Sequence, residues 1–374
     1  MKGIGYVLAL LCLASVQANA QQGVYSSFDS AVSSEAVPIN DMLTGWDGSY
    51  QRGELVYADV SWSFGIFSDL FIADEFLGKV SIQREYRHYY YLNFDKETAD
   101  YYRAVELGDS LSRDRKLDLT FKQFDAPGIS LGYDSKPFHL ESVDWQFGID
   151  FAVYQPGHFQ FGSVKGVAEA GDTESASGVI DYRFDEDKLL DTNGDLLNDY
   201  SNLKKGLGLS LSANITAEFN GLQVYLGLKD VVNQFTWQEG LHTTGCVNLS
   251  GEAGGACIVE CPSTSGNENC QSAAGGQSNQ ARIVETIPTT LNTRISHISS
   301  DISFNGLVHD RYYRLGLEKG VQTSLGRLGF FLYYPRLVGL SWQASHFNIE
   351  LGADTFKLSQ ARNVQLNMGI NWRW

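Results

Sequence analysis

Val364-Gln-Leu-Asn-Met-Gly-Ile-Asn-Trp-Arg-Trp374 alternates without a break. Val364, Leu366, Met368, Ile370, Trp372 and Trp374 share one face, and Gln365, Asn367, Gly369, Asn371 and Arg373 share the other. Side chains in a strand point to opposite faces with period two. So long an alternation is what a barrel strand needs when one face meets lipid and the other a polar lumen. Three earlier stretches repeat the pattern: Val56 to Ile66 against Tyr57 to Gly65, Trp145 to Val153 against Gln146 to Ala152, and Leu207 to Phe219 against Gly208 to Glu218. Charges fall on the second face in each.

Composition narrows the class. The chain has 374 residues, 19% of them charged, 38 glycines and 13% aromatics, and its mean hydropathy is −0.19. Beyond the N-terminus no apolar run is long enough to cross a bilayer as a helix. A chain that spans without such helices must close a barrel, because only closure leaves no unpaired backbone in hydrocarbon. Several alternating stretches also exceed the roughly 5–6 residues usual for a sandwich strand. The expected fold is therefore all-β, a transmembrane antiparallel β-barrel. About fourteen strands are expected, near 52–67, 79–94, 98–107, 115–124, 127–133, 139–153, 157–184, 204–219, 221–239, 281–304, 307–319, 323–334, 337–352 and 362–374. Between Leu228 and Val231 the apolar parity changes at Lys229-Asp230, which a bulge explains. Tyr89 to Tyr91, Tyr333, Tyr334 and Trp372 are read as interfacial girdles.

The terminal strand resembles that of substrates of the bacterial outer-membrane barrel assembly machinery, which usually end in Phe or Trp. Val364, Leu366, Met368, Ile370, Trp372 and Trp374 would be the assembly signal. The other end agrees: Lys2, an apolar segment from Ile4 to Val16, and Ala18-Asn19-Ala20 make residues 1–20 a signal peptide. The resulting division is signal peptide 1–20, a Ser-rich periplasmic or plug segment 21–47, and a barrel 48–374. The expected location is the outer membrane, in contact with its lipids.

Loop lengths set the expected topology, since such barrels keep short turns in the periplasm. Asn220-Gly221, Asn305-Gly306 and the turn at Pro335 are expected there, with a periplasmic C-terminus and the long segments near 185–203 and 240–280 outside. The first carries Asp191-Thr192-Asn193-Gly194-Asp195-Leu196-Leu197-Asn198-Asp199. Asp191, Asn193, Asp195 and Asp199, with the Leu197 carbonyl, have the spacing of a Ca²⁺ loop. Leu196 replaces the turn glycine and Asn202 the closing Glu, so an acidic solvated loop is the other reading. Cys246, Cys257, Cys261 and Cys270 lie in the second segment. An even count on an exported chain implies two disulfides, with three pairings open.

No His-Glu-x-x-His or phosphate-binding glycine loop occurs, and the histidines are scattered. His309-Asp310 and Asp181 come nearest to a catalytic pair, and an enzyme is not expected. The net charge of −16 opposes binding of nucleic acid or of anionic lipopolysaccharide through a broad basic face. Asp59, Glu85, Asp118, Asp150, Glu218 and Glu318 fall on lumen faces with Arg84 or Arg87, Lys116, Arg314 and Arg373, a mixture able to lock a filled interior.

Tyr225-Leu-Gly-Leu-Lys-Asp-Val-Val-Asn-Gln-Phe-Thr-Trp237, the strand with Pro288, and Tyr313-Arg-Leu-Gly-Leu-Glu-Lys-Gly320 resemble the second half of FadL-like outer-membrane proteins, including the TraF-like branch, over about residues 205–374. The resemblance implies a fourteen-stranded barrel plugged by its N-terminal segment. It carries over no ligand residues. Expected functions are a passive or facilitated conduit for a small, hydrophobic or other, substrate, or alternatively a non-conducting barrel supporting an envelope assembly, surface appendage or secreted polymer. No cofactor beyond Ca²⁺ is expected.

Overall fold

The computed structural model describes residues 21–44, 49–73, 75–171, 176–185, 206–248 and 279–374. Its eighteen strands form one antiparallel sheet closed into a ring fourteen strands around. In chain order the wall is β1 (Gln22–Ser34), β2 (Leu55–Ile72), β3 (Glu75–Phe94) and β4 (Arg115–Ser135). After the short β5 (Phe138–Leu140) come β6 (Val143–Tyr154) with β7 (Phe159–Ala168), β8 (Ala176–Phe184) with β9 (Gly206–Phe219), β10 (Leu222–Asn248), and β11 (Asn279–Glu285) with β12 (Thr290–His297). Then follow β13 (Ile302–His309), β14 (Tyr312–Thr323), β15 (Gly326–Tyr334), β16 (Leu337–Gln343), β17 (Phe347–Ala353) and β18 (Asn363–Arg373).

Three of these wall positions are single strands broken once. β4 pairs with β6 up to Gly128↔Tyr154 and with β7 from Phe124↔Phe159. One extra residue therefore bulges at 155–158, where Pro156 cannot donate to a ladder. β10 pairs with Gly206 at Trp237 and with Phe184 at Leu241. The chain thus leaves the middle of the wall after β8 and rejoins it at almost the same level, whereas the segment near 185–203 was expected to leave from the rim. The third break separates β11 from β12 beside Pro288.

The pleat puts lipid-facing and lumen-facing residues where the alternation placed them. On β15, Leu328, Phe330, Leu332 and Tyr334 are 49–62% exposed while Phe331 between them is 0% exposed. On β18, Met368, Ile370, Trp372 and Trp374 point out, and Gln365 is buried, donating to Glu350 Oε1 at 2.7 Å. So much exposed apolar surface is a lipid-contacting belt. Among the described residues no helix is long and apolar enough to cross a membrane.

Several expectations are corrected. Gln22–Ser34 is no plug: it pairs with β18 on one side and β2 on the other and closes the ring. Residues 98–107 are not a strand but lie in helix α2 (Lys96–Leu107), which follows the short α1 (Ile39–Thr44). Asp95 caps α2 by accepting the Thr98 N–H at 2.7 Å, and Gly108 ends it at φ 65°. Residues 115–124 and 127–133 are one strand, 337–352 two. Asn305-Gly306 lies inside β13, so it makes no turn. The turn at 335–336 lies at the opposite end from Asn220-Gly221, on the side of the long connections 35–54, 95–114 and 249–278. Asn220 and Gly221 have φ 49° and 76°, the tight turn that an Asn-Gly pair favours.

Closure depends on the last residues. Trp374 N–H donates to Gln22 O at 3.0 Å and Gln22 N–H returns the bond at 3.3 Å. Trp374→Lys is therefore expected to block assembly, since a lipid-facing Lys costs up to about 2–4 kcal/mol at mid-depth and less near an interface. Normal heat-modifiable protein in the outer membrane of the variant strain would contradict this.

Candidate functional site in the lumen

The lumen is polar at one end and closed by aromatics toward the other. Tyr57, Tyr89, Tyr91, Phe124, Tyr154, Phe159, Phe161, Phe235, Trp237 and Tyr312 belong to one buried cluster drawn from β2, β3, β4, β6, β7, β10 and β14. Phe124 and Phe235 have ring centroids 4.6 Å apart, as do Phe159 and Trp237. Trp237 Nε1 donates to Gly157 O at 2.8 Å, so the largest ring is anchored by the bulge itself. Two wall glycines make room: a Cβ at Gly128 or Gly208 would strike the ring of Tyr154 or Phe235.

The septum reaches across the barrel because the β13–β14 hairpin tip leans on the opposite wall. In the ring of fourteen, β3 is third and β14 tenth, on opposite sides. Yet Tyr312 stacks on Tyr57 at 4.4 Å, His309 Nε2 meets Tyr89 Oη at 2.8 Å, Tyr91 Oη donates to Asp310, and Arg311 Nη2 donates to Glu54 Oε2 at 3.0 Å. The other His309 ring nitrogen lies 2.8 Å from Thr290 Oγ1. His309 and Asp310 are thus engaged in packing the hairpin against the far wall. Asp181 lies 3.1 Å from His242 Nε2, away from them.

Beneath the aromatics lies a buried ion lock. Arg87, 0% exposed, donates through Nε and Nη2 to Asp59 at 3.0 and 2.8 Å and through Nη1 to both Asp230 oxygens at 3.0 and 2.8 Å. Lys229 Nζ adds a bond to Asp59 at 3.0 Å, and Ser210 Oγ one to Asp230 at 2.6 Å. Two cations and two carboxylates balance, as buried charge requires. The expected bulge lies at Lys229-Asp230: the register with β9 jumps between Leu228 and Val232, and Asp230 sits at φ 61°. Asn233 stitches this bulge to the β11–β12 break, donating to Asp230 O at 3.0 Å and Ile287 O at 2.8 Å. Two residues are added there, so even positions face outward on both sides of the bulge, and Phe235 and Trp237 continue the lumen face of Gln223 and Tyr225 with apolar rings.

On the short-turn side the lumen opens into a polar cavity of about 650 Å³ lined by Gln146, Thr216, Gln223, Tyr225, Arg294 and Ser303 among others. Its rim is braced by Arg327, which bonds Asp301 at 2.9 Å and Glu318 at 2.6 Å. Beyond the septum, Lys122 pairs with Glu285 at 3.2 Å and Arg183 with the same carboxylate, tying β4, β8 and β11 together. The barrel is taller on this side. The outer face of its upper strands is covered, with Ala36, Val37 and Ala99 packed over Val56, Leu92, Phe121 and Tyr182.

Helix α2 is docked there through Asp100, which accepts from Tyr50 Oη at 2.7 Å and Arg52 Nη2 at 2.6 Å. Burial pushes the Asp100 carboxyl up, but the bonds from Arg52 and Tyr50 outweigh it and hold it below the usual range. A depressed carboxyl contributes stability above its unfolded value near 3.9, and that contribution is lost as pH falls through the folded value. Hydrogen exchange of α2, corrected for intrinsic rate, should quicken below about pH 4. Asp100→Asn should show the faster rate already at pH 7 and a flat profile below it; an unchanged profile in the variant would contradict this docking.

The sequence-derived sites divide sharply. Asp191, Asn193, Asp195, Leu197 and Asp199 lie outside the described residues, as do Cys257, Cys261, Cys270 and residues 1–20. Cys246 sits on β10 opposite Val179. Of the two alternatives for a lumen arginine, Arg87 points in and Arg84 out. The septum went unread: Tyr89 and Tyr91 were assigned to a girdle, whereas both are buried in the lumen. The available signal was aromatics on the parity of Asp59 and Arg87.

No protein-family model matches the sequence, and no curated protein matches it. Among solved structures, the siderophore receptor PirA from Pseudomonas aeruginosa is similar at 10% identity and TM-score 0.22, over 94% of this chain and 80% of that one. The ferric yersiniabactin uptake receptor FyuA from Yersinia pestis is similar at 8% and 0.25, over 94% and 68%. The outer membrane protease OmpT from Escherichia coli is similar at 7% and 0.22, over 96% and 98%. The architecture of this chain rests on its own strand pairing.

Proposed function

We propose that the chain is an outer-membrane barrel, sealed at rest, that works as a structural or interaction element of the envelope and not as an open pore. The observation that carries this is the septum: buried rings from both sides of the barrel meet, and the ion lock of Arg87, Asp59 and Asp230 holds the strands beneath them. Short turns at one end and long connections at the other support a periplasmic C-terminus and an outward-facing raised half. On this reading Asp191–Asp199 serves an exposed Ca²⁺ loop, and Cys246, Cys257, Cys261 and Cys270 form two disulfides outside the cell. The FadL-like resemblance would instead make the barrel a conduit. The 650 Å³ cavity on the short-turn side favours that second reading, as the inner half of a gated path. Liposome swelling separates them. Sealed barrels leave proteoliposomes stable in isotonic arabinose, whereas influx through the wild-type protein would establish a conduit.

A further inference from the structure

One lipid-facing residue breaks the rule that the belt otherwise follows. Arg84 projects from the outer face of β3, level with Phe64 on β2 and Ile129 on β4. The row below it is Ile66, Ile82 and Leu131, and the row above is Trp62, Tyr86 and Pro127. Phe64, Ile66, Ile129 and Leu131 are 40–51% exposed, so this is open apolar surface. Arg84 is itself exposed, and it makes no hydrogen bond or ion pair among the described residues. Lys319, also outward-facing, differs, because it donates to the carbonyl of Ser300 in the adjacent β12–β13 turn.

Depth explains why such a charge survives. Nine residues separate Arg84 from the start of β3. At roughly 3.3 Å per residue and a tilt near 40° this is about 23 Å, close to the far edge of a belt about 25 Å tall. Trp62 and Tyr86, one row further, are the girdle residues of that edge, and His88 paired with Asp125 lies above them. An arginine is costly at mid-membrane but nearly free at an interface, where its stem lies along apolar surface and its head reaches the headgroups. There it presents a planar fork that matches two phosphate oxygens, and protein carboxylates do not occupy it.

We propose that Arg84, seated between Phe64, Tyr86 and Ile129, is the anchor of a binding site for a phosphorylated glycolipid of the outer leaflet. The inference rests on the outer-membrane reading, with β3 rising toward the external face. The guanidinium takes the lipid phosphate in two hydrogen bonds, and the aromatics beside it pack against the first acyl carbons.

The test uses the full mature protein folded in detergent and exchanged with bisphosphorylated lipid A, lipid retention being counted by native mass spectrometry. Wild-type barrel should retain lipid A about fivefold more than Arg84→Gln, the factor one cation near an anionic headgroup supplies. Arg84→Lys should fall between them, and enzymatically dephosphorylated lipid A should not distinguish the three proteins. Equal retention by wild type and Arg84→Gln overturns the site, as does a preference that persists without phosphate or is matched by phosphatidylglycerol. Arg84→Gln removes a charge from an apolar face and should fold. Heat-modifiability in lipid vesicles checks membrane insertion separately, so failure of the barrel reading and failure of this site are told apart.

Discussion

Arg87→Ala should destabilise the folded barrel by about 3–5 kcal/mol, the usual result of removing one partner from a buried ion network. The loss would come less from the missing contacts than from Asp59 and Asp230, left facing each other with Lys229 as the remaining close cation. Asp230 is 1% exposed, so water cannot replace the guanidinium without opening the wall. Urea unfolding in micelles, followed by loss of the heat-modifiable band, measures the effect. Adding Asp230→Asn should restore part of it, because the amide removes one uncompensated charge. A single variant as stable as wild type would mean that the lock does not hold the strands.

Trp237→Ala should have a comparable cost, about 3–5 kcal/mol for a fully buried Trp, and a functional consequence that Arg87→Ala need not share. The indole packs against Phe124, Phe159 and Phe161 and is anchored to Gly157. Its removal takes the largest ring out of the septum and leaves a channel-side cavity. Phe124→Ala beside it should widen the gap. The double variant is expected to admit small ions while the belt and the ring of strands stay intact, which circular dichroism and heat-modifiability would confirm.

What could be read from the sequence followed from how different the two faces of each strand are. β18 was legible because lipid and lumen demand opposite chemistry at Ile370 and Asn371. β1 was not, because serines lie on both of its faces. Ser26 Oγ donates to Ser63 O at 3.0 Å and Ser30 Oγ to Leu366 O at 3.1 Å, so these hydroxyls are satisfied inside the wall and a lipid-facing serine costs little. That made the segment look like a polar plug. The septum was hidden for the opposite reason. In Tyr89-Tyr90-Tyr91-Leu92 both faces are apolar, one for the filled lumen and one for the cover packed on the outer wall, and the period-two signal vanishes. At Lys229-Asp230 the expected bulge is present but does not exchange the faces: it adds two residues, even positions stay outside from Leu226 to Val232, and the apolar parity changes because Phe235 and Trp237 fill the lumen. The expected total of about fourteen strands agrees with the ring because errors offset one another: α2 was counted as a strand, β4 was counted twice and 157–184 was counted apart from the wall positions it shares with β6 and β9, while β1 was missed, β13 was divided between its neighbours, and β16 and β17 were counted as one.

Single-channel recording in planar bilayers tests the sealed lumen most directly. Wild-type protein, inserted as a folded barrel, should give no steady conductance steps over a range of holding potentials, and the Phe124→Ala, Trp237→Ala double variant should give them under the same conditions. Steady, long-lived steps from the wild-type barrel would contradict the account and make the lumen a conduit.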